Sequence, residues 1–162
     1  MMITDGDCAQ LAKRILVDGI TFDDTLQGYN RDQSAREIGL QLQGIDDPNK
    51  LACLYLAFTY LLEHQIDEDI ALKWPDGHDV GSDLALDAQW SILYRVAEIP
   101  GEEGAKALVD LYLDNRVATD AGAGFIFVHA MRTRAADVIH VIDNHYANNA
   151  AAGQLKDTLL AR

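Results

Sequence analysis

Apolar residues recur at three- and four-residue spacing along most of this chain, the period of helices packed on one side. The densest stretch is Leu51–Leu62, where Thr59 is the only residue that is neither apolar nor aromatic. Leu51, Leu54, Tyr55, Phe58, Leu61 and Leu62 form one stripe, and Leu56 and Tyr60 widen it to most of the circumference. Asp47 can cap this helix, and Pro48 fits the first helical position, where its missing N–H costs nothing. The run is too short for a bilayer, which needs about 20 apolar residues, and Glu63-His64-Gln65 closes it. A helix apolar on nearly all sides belongs in the middle of a bundle, so the segment from Asp47 to Trp74 organises the rest.

The same pattern predicts the other elements. Asp5 or Asp7 can cap a first helix with Leu11, Ile15 and Leu16 on its apolar face and Gly19 as its stop. Asp23-Asp24 can start a short helical turn ending near Gly28. A helix from about Asn30 to Leu42 carries Ala35, Ile38 and Leu42 inward, and Gly44 ends it. Trp74 to Gly81 is a loop, because Pro75 pushes Trp74 out of helical geometry and Asp76-Gly77 and Asp79 supply turn chemistry. Ser82 then caps a helix to about Ile99, with Leu86, Trp90, Leu93 and Ala97 on its stripe. Pro100-Gly101 turns the chain into a helix reaching Asn115, with Ala105, Leu108, Val109 and Tyr112 inward. Ala121-Gly-Ala-Gly124 reads as a pivot. Phe125–Val128 suits strand or helix by composition; with no second strand-like run to pair with, it reads as helix. Ala135 to about Tyr146 follows, with Val138, Ile139, Ile142 and Tyr146 inward. A last short helix, Ala150–Ala161, runs through Leu155, Leu159 and Leu160.

These elements give an all-α protein of about seven to nine helices. The hairpin at Pro100-Gly101 suits either HEAT-like stacking or an irregular bundle, and no fixed repeat period decides between them. At 162 residues, with three prolines and no linker or low-complexity tract, a single domain spanning 1–162 is expected. Such a chain buries roughly two thirds of its unfolded surface. The N-terminal residues start with acids and lack a long apolar core, unlike a secretory or transit peptide. Cys8 and Cys53 lie in predicted helices, away from metal-type spacing. Free buried thiols in a reducing cytoplasm are the expectation, a disulfide or redox pair the alternative.

Charge changes the picture most. Twenty-six acids against thirteen bases give a net charge of −13. Such a field repels nucleic acid and anionic membranes, and speeds association with basic partners. The excess is concentrated: residues 51–100 hold nine acids and two bases, against nine and five before them and eight and six after. Its centre is a sector containing Glu63, Asp67, Glu68, Asp69, Asp76, Asp79, Asp83 and Asp87, with Lys73 as its one base. Carboxylates at a helix C-terminus oppose its dipole by roughly 0.3–1 kcal/mol each, and like charges repel, so stability alone does not account for the crowding. Ordinary solvation of an acidic protein is one reading; a docking surface for a basic partner is the other. Trp74 serves either as its aromatic anchor or as a plug under the loop.

Catalytic signatures are sparse. His78-Asp79 is similar to the dyad of an all-helical family of metal-dependent phosphohydrolases, which adds an upstream histidine and a downstream aspartate. His64 and Asp143 are the candidates for those roles. That family carries its dyad on a helix, whereas this one sits in a Pro/Gly loop. His140 and Asp143 share a helix face, about 300° apart around the axis, while His145 is turned about 140° from His140. Zinc needs three or four ligands, so His129 from the preceding helix would have to join them. The paired Glu-x-x-His of di-iron bundles, an EF-hand loop, G-x-S-x-G, a P-loop, G-x-G-x-x-G, H-E-x-x-H and paired C-x-x-C are all missing from the sequence.

We therefore expect a small cytoplasmic binding protein without cofactor or metal. It would act as an inhibitor whose acidic face, carrying the eight sector acids and Trp74, covers a basic site on a toxin, nuclease or nucleic-acid-binding protein. Immunity proteins and antitoxins work in this way. A helical adaptor, and a metal-dependent hydrolase using His and Asp, are the alternatives, and the missing motifs weigh against an enzyme.

Overall fold

The computed structural model describes residues 5–19, 22–23, 28–29, 31–63, 80–119 and 121–161. The class is all-α. Among the described residues there are eight helices: α1 (Asp5–Gly19), α2 (Arg31–Gln43), α3 (Pro48–Glu63), α4 (Val80–Glu98), α5 (Glu102–Leu113), α6 (Ala121–Arg132), α7 (Ala135–His145) and α8 (Ala150–Leu160). Phe22–Asp23 (β1) and Gly28–Tyr29 (β2) pair antiparallel, Phe22 opposite Tyr29; the short helical turn expected between them falls on residues 24–27, outside the described residues. By its contacts the chain divides into two compact units, residues 1–92 and 93–162.

In the first unit, α1 packs on both α2 and α3. The face of α1 is Cys8, Ala12, Ile15 and Leu16, all buried, and Gly19 closes it. A side chain at Gly19 would collide with Ile38 of α2, so glycine here permits the close approach of the two helices. On α2, Ile38 and Leu42 are buried as expected, but their neighbour inside is Ser34 and Ala35 is only half-buried.

The start of α3 follows its sequence closely. Asp47 Oδ1 accepts from the backbone N–H of Asn49 at 2.9 Å, and its carbonyl accepts from Leu51 at 3.1 Å. Leu51, Leu54, Tyr55, Phe58 and Leu61 are buried; Leu56 and Leu62 are half-buried and Tyr60 is 56% exposed. The helix therefore keeps one solvated edge. Thr59, its polar interruption, has a structural partner. Gln89 of α4, itself buried, donates from Nε2 to Thr59 Oγ1 at 2.8 Å and to the Tyr55 carbonyl at 3.0 Å. A buried amide with these partners avoids the roughly 1–3 kcal/mol cost of an unsatisfied one and fixes the register of the two helices.

That register corrects the expected stripe of α4. Leu84, Ala85, Ala88, Ile92, Leu93, Val96 and Ala97 are buried, while Leu86 and Trp90 are 42% and 48% exposed. The buried side thus mixes bulky Leu84, Ile92 and Leu93 with Ala85 and Ala88, and Leu86 and Trp90 lie off it. The expected stripe holds at Leu93 and Ala97 and fails at Leu86 and Trp90.

In the second unit, α5, α6, α7 and α8 all pack against one another. Each contacts every other, which is a bundle and not a linear stack in which a repeat meets only its neighbours. Ala105, Leu108 and Val109 of α5, Phe127, Ala130 and Met131 of α6, Val138, Val141 and Ile142 of α7, and Ala152, Leu155 and Leu159 of α8 form its core. Tyr112 is half-buried, with its ring edge-on to Phe127 at 5.7 Å. Ile139 and Tyr146 are half-buried and Leu160 is exposed, so these three, read as inward, lie at the core's margin or outside it. Phe125–Val128 is helical, and Ala121–Gly124 is the first turn of α6, not a pivot.

Arg134 stitches the second unit together. Its Nη1 donates to the carbonyls of Ala97 (3.1 Å) and Ile99, and its Nη2 to that of Gly101 (2.8 Å). Asp137 lies 2.7 Å from the same guanidinium. Gly101 has φ +89°, a conformation that glycine adopts without strain. A side chain at Gly104 would fall 2.7 Å from the Ile99 carbonyl oxygen and 2.9 Å from that of Val96, so this turn requires glycine.

Candidate functional site

Of the nine residues assigned to a partner-binding face, Asp67, Glu68, Asp69, Trp74, Asp76 and Asp79 lie outside the described residues, as do His64 and His78. Glu63 is exposed at the last position of α3. Asp83, in the first turn of α4, and Asp87 one turn later are both half-buried. Spaced i, i+4, they share a helix face.

The histidines considered for metal do not converge. His140 Nε2 pairs with Asn144 at 2.8 Å, and His145 Nε2 with Glu102 of α5 at 3.0 Å. Asp143 is engaged by Lys156 of α8 at 2.7 Å. His129 Nδ1 meets the Tyr94 hydroxyl at 2.8 Å. Among the described residues no three His, Cys, Asp or Glu side chains come together as a metal site would require.

The thiol expectation is corrected: Cys8 of α1 and Cys53 of α3 are joined in a disulfide. The packing of α1 on α3 brings their Cα atoms to 6.0 Å, within bridging distance. Cys8 is fully buried and Cys53 half-buried.

Acids and bases in the second unit are closely matched. Glu98 pairs with Arg95, Asp110 with Lys106, Asp114 with Arg116, Asp137 with Arg134 and Asp143 with Lys156. The bidentate contact from Arg116, with Nε at 3.0 Å and Nη2 at 2.7 Å, holds the Asp114 carboxyl below the usual range. Asp110 also accepts from the Tyr146 hydroxyl; burial and that carboxylate push the phenol up to about 12.

A second feature of this unit was not anticipated. A pocket of about 400 Å³ opens between α5, α6 and α8. From α6 come Phe125, Val128, His129 and Arg132, at i, i+3, i+4 and i+7 on one helix face. Tyr112, Thr119 and Thr158 complete the wall with Gly124, whose missing side chain leaves room for the Thr119 carbonyl oxygen. Phe125 is 68% exposed and stacks on His129, centroids 6.1 Å apart and planes at 28°. Arg132 reaches α8, donating from Nη1 to the Ala161 carbonyl and from Nη2 to that of Thr158, both at 3.2 Å. The sequence signal for this wall was the spacing of 125, 128, 129 and 132; His129 alone had been considered, as a metal ligand. Comparison with protein-family models, with curated proteins and with solved structures finds no match for this chain.

Proposed function

We propose that this is a small acidic binding protein, an inhibitor of the immunity type that covers a basic site on a partner such as a toxin or nuclease. The division of charge between the two units carries this reading. Residues 1–92 hold seventeen acids and six bases, and residues 93–162 hold nine and seven, giving −11 and −2 of the total −13. The second unit spends most of its acids on its own bases. The surplus belongs to the first unit, which contains the sector from Glu63 to Asp87. Charge of one sign concentrated in this way steers a basic partner and speeds encounter, and repels nucleic acid and anionic lipid. No helix among the described residues is long and apolar enough to cross a membrane. The cytoplasm was expected together with free thiols; the Cys8–Cys53 disulfide is instead what an oxidising compartment favours.

An adaptor role is the second reading, favoured by the exposed Tyr60, Leu86 and Trp90 on α3 and α4. Apolar contact of that kind is insensitive to salt, which separates the two. Partners captured on the immobilised protein are identified, and their association rates measured from about 20 to 500 mM salt. The inhibitor reading expects a basic partner whose association slows with salt, and slows about tenfold at low salt when Asp67, Glu68 and Asp69 are changed to lysine. A rate indifferent to both would transfer the assignment to the adaptor.

A further inference from the structure

We propose that the pocket on α6 binds a small organic monocarboxylate with a flat apolar body, held by Arg132 and Phe125. Among the described lysines and arginines of residues 93–162, Arg95, Lys106, Arg116, Arg134 and Lys156 each have an acid partner. Arg132 has none among the described residues, in a chain with twice as many acids as bases. It is nevertheless fixed in place, because the carbonyls of Thr158 and Ala161 hold its guanidinium at 3.2 Å each. A guanidinium carries five N–H donors, so two bonds to carbonyls leave three for a ligand. Among the described residues no acid neutralises its charge, and its direction is set by the end of α8.

The charge and shape of the wall select the ligand class. Among the described residues Arg132 is the only lysine or arginine lining the pocket, which matches one negative charge; a phosphate dianion would call for more. Phe125 and Val128 offer an apolar face against which a planar group can lie, and Phe125 is mostly solvent-exposed until something covers it. His129 keeps its second ring nitrogen available, since Nδ1 is taken by Tyr94. The Thr158 hydroxyl donates to the Gln154 carbonyl at 3.0 Å, so towards a ligand it acts as an acceptor. A volume of about 400 Å³ suits a small molecule.

Benzoate, its neutral isostere benzamide, and acetate are the probes, titrated into the intact protein and followed by amide chemical shifts. Benzoate is expected to shift residues around 119–132 and 158 saturably, with benzamide and acetate each weaker by about tenfold or more. Arg132→Gln should erase the preference for benzoate over benzamide. Because Arg132 also ties down α8, Phe125→Ala supplies a variant at a mostly exposed position; it should weaken both ring-bearing probes several-fold and leave acetate unchanged. Equal binding of benzoate and benzamide, a preference that survives Arg132→Gln, or no shift in these residues at tens of millimolar probe would overturn the proposal.

Discussion

Cys8 and Cys53 are bonded across the contact between α1 and α3, closing a loop of 45 residues in sequence separation. A cross-link over that length restricts the unfolded chain, and the loop-closure argument assigns it about 4 kcal/mol. Changing both residues to alanine, or reducing the protein, should therefore lower the denaturant midpoint of the unit containing residues 1–92. A thiol assay on the unfolded, unreduced protein should find no free sulfhydryl. A midpoint unmoved by reductant would mean that the two sulfurs are not bonded in solution.

Gly122 and Gly124 stand two residues apart in the first turn of α6 and should respond to alanine with opposite signs. A methyl at 122 meets nothing within 4 Å, and the position is exposed, so Gly122→Ala should stabilise the protein by about 0.5–1 kcal/mol through helix propensity. The same methyl at 124 strikes the Thr119 carbonyl. Gly124→Ala should cost more than its propensity gain, by an estimated 1–3 kcal/mol, and close part of the pocket. Thermal unfolding of the two variants side by side checks both signs.

What could be read from the sequence was mostly what neighbouring residues decide among themselves. The start of α3 follows from Asp47 and Pro48, and its core from the stripe Leu51, Leu54, Tyr55, Phe58 and Leu61. The face of α4 was misread because periodicity identifies stripes without identifying which stripe meets a partner. Large Leu86 and Trp90 looked like core, yet Leu84, Ala85, Ala88 and Ile92 take the buried side, and Gln89 bonds to Tyr55 and Thr59 of α3. The disulfide was unreadable for the same reason, since it depends on which helices pack. Arg132 is the sharpest case: its interest lies in the acid it lacks among the described residues, and that emerges only once the other described bases of residues 93–162 have found theirs.

Arg134 should be among the least replaceable charged side chains in residues 93–162. Its bonds to the carbonyls of Ala97, Ile99 and Gly101 satisfy acceptors that the end of α4 leaves open. Charge-assisted hydrogen bonds of this kind contribute about 1.5–3 kcal/mol. Arg134→Ala should destabilise by roughly that amount, and Arg134→Lys should recover only part of it, because an ammonium cannot span three carbonyls as a planar fork does. Asp137→Asn, which removes only the partly exposed ion pair, should cost less than about 1 kcal/mol. If Arg134→Ala and Asp137→Asn prove equally costly, the carbonyl contacts are not what makes Arg134 matter.

Alkaline pH should unfold the protein partly through two phenols. Tyr55 is raised from the ordinary 10.0 to about 12 by burial, and Tyr146 to about 12 by burial together with its bond to Asp110. Both keep their protons longer in the folded state than in the unfolded one. Their contribution to stability is therefore complete below pH 10 and is lost as pH rises from 10 towards 12, where the unfolded chain binds fewer protons. Tyr55 and Tyr146 should ionise late in a phenolate absorbance titration, with stability declining over the same interval. Tyr146→Phe should remove one late phenol and flatten part of that decline, at the cost of a hydrogen bond to Asp110 at every pH. If Tyr55 and Tyr146 both ionise near 10 while the protein is still folded, neither the burial of Tyr55 nor the Tyr146–Asp110 pair holds its proton as proposed.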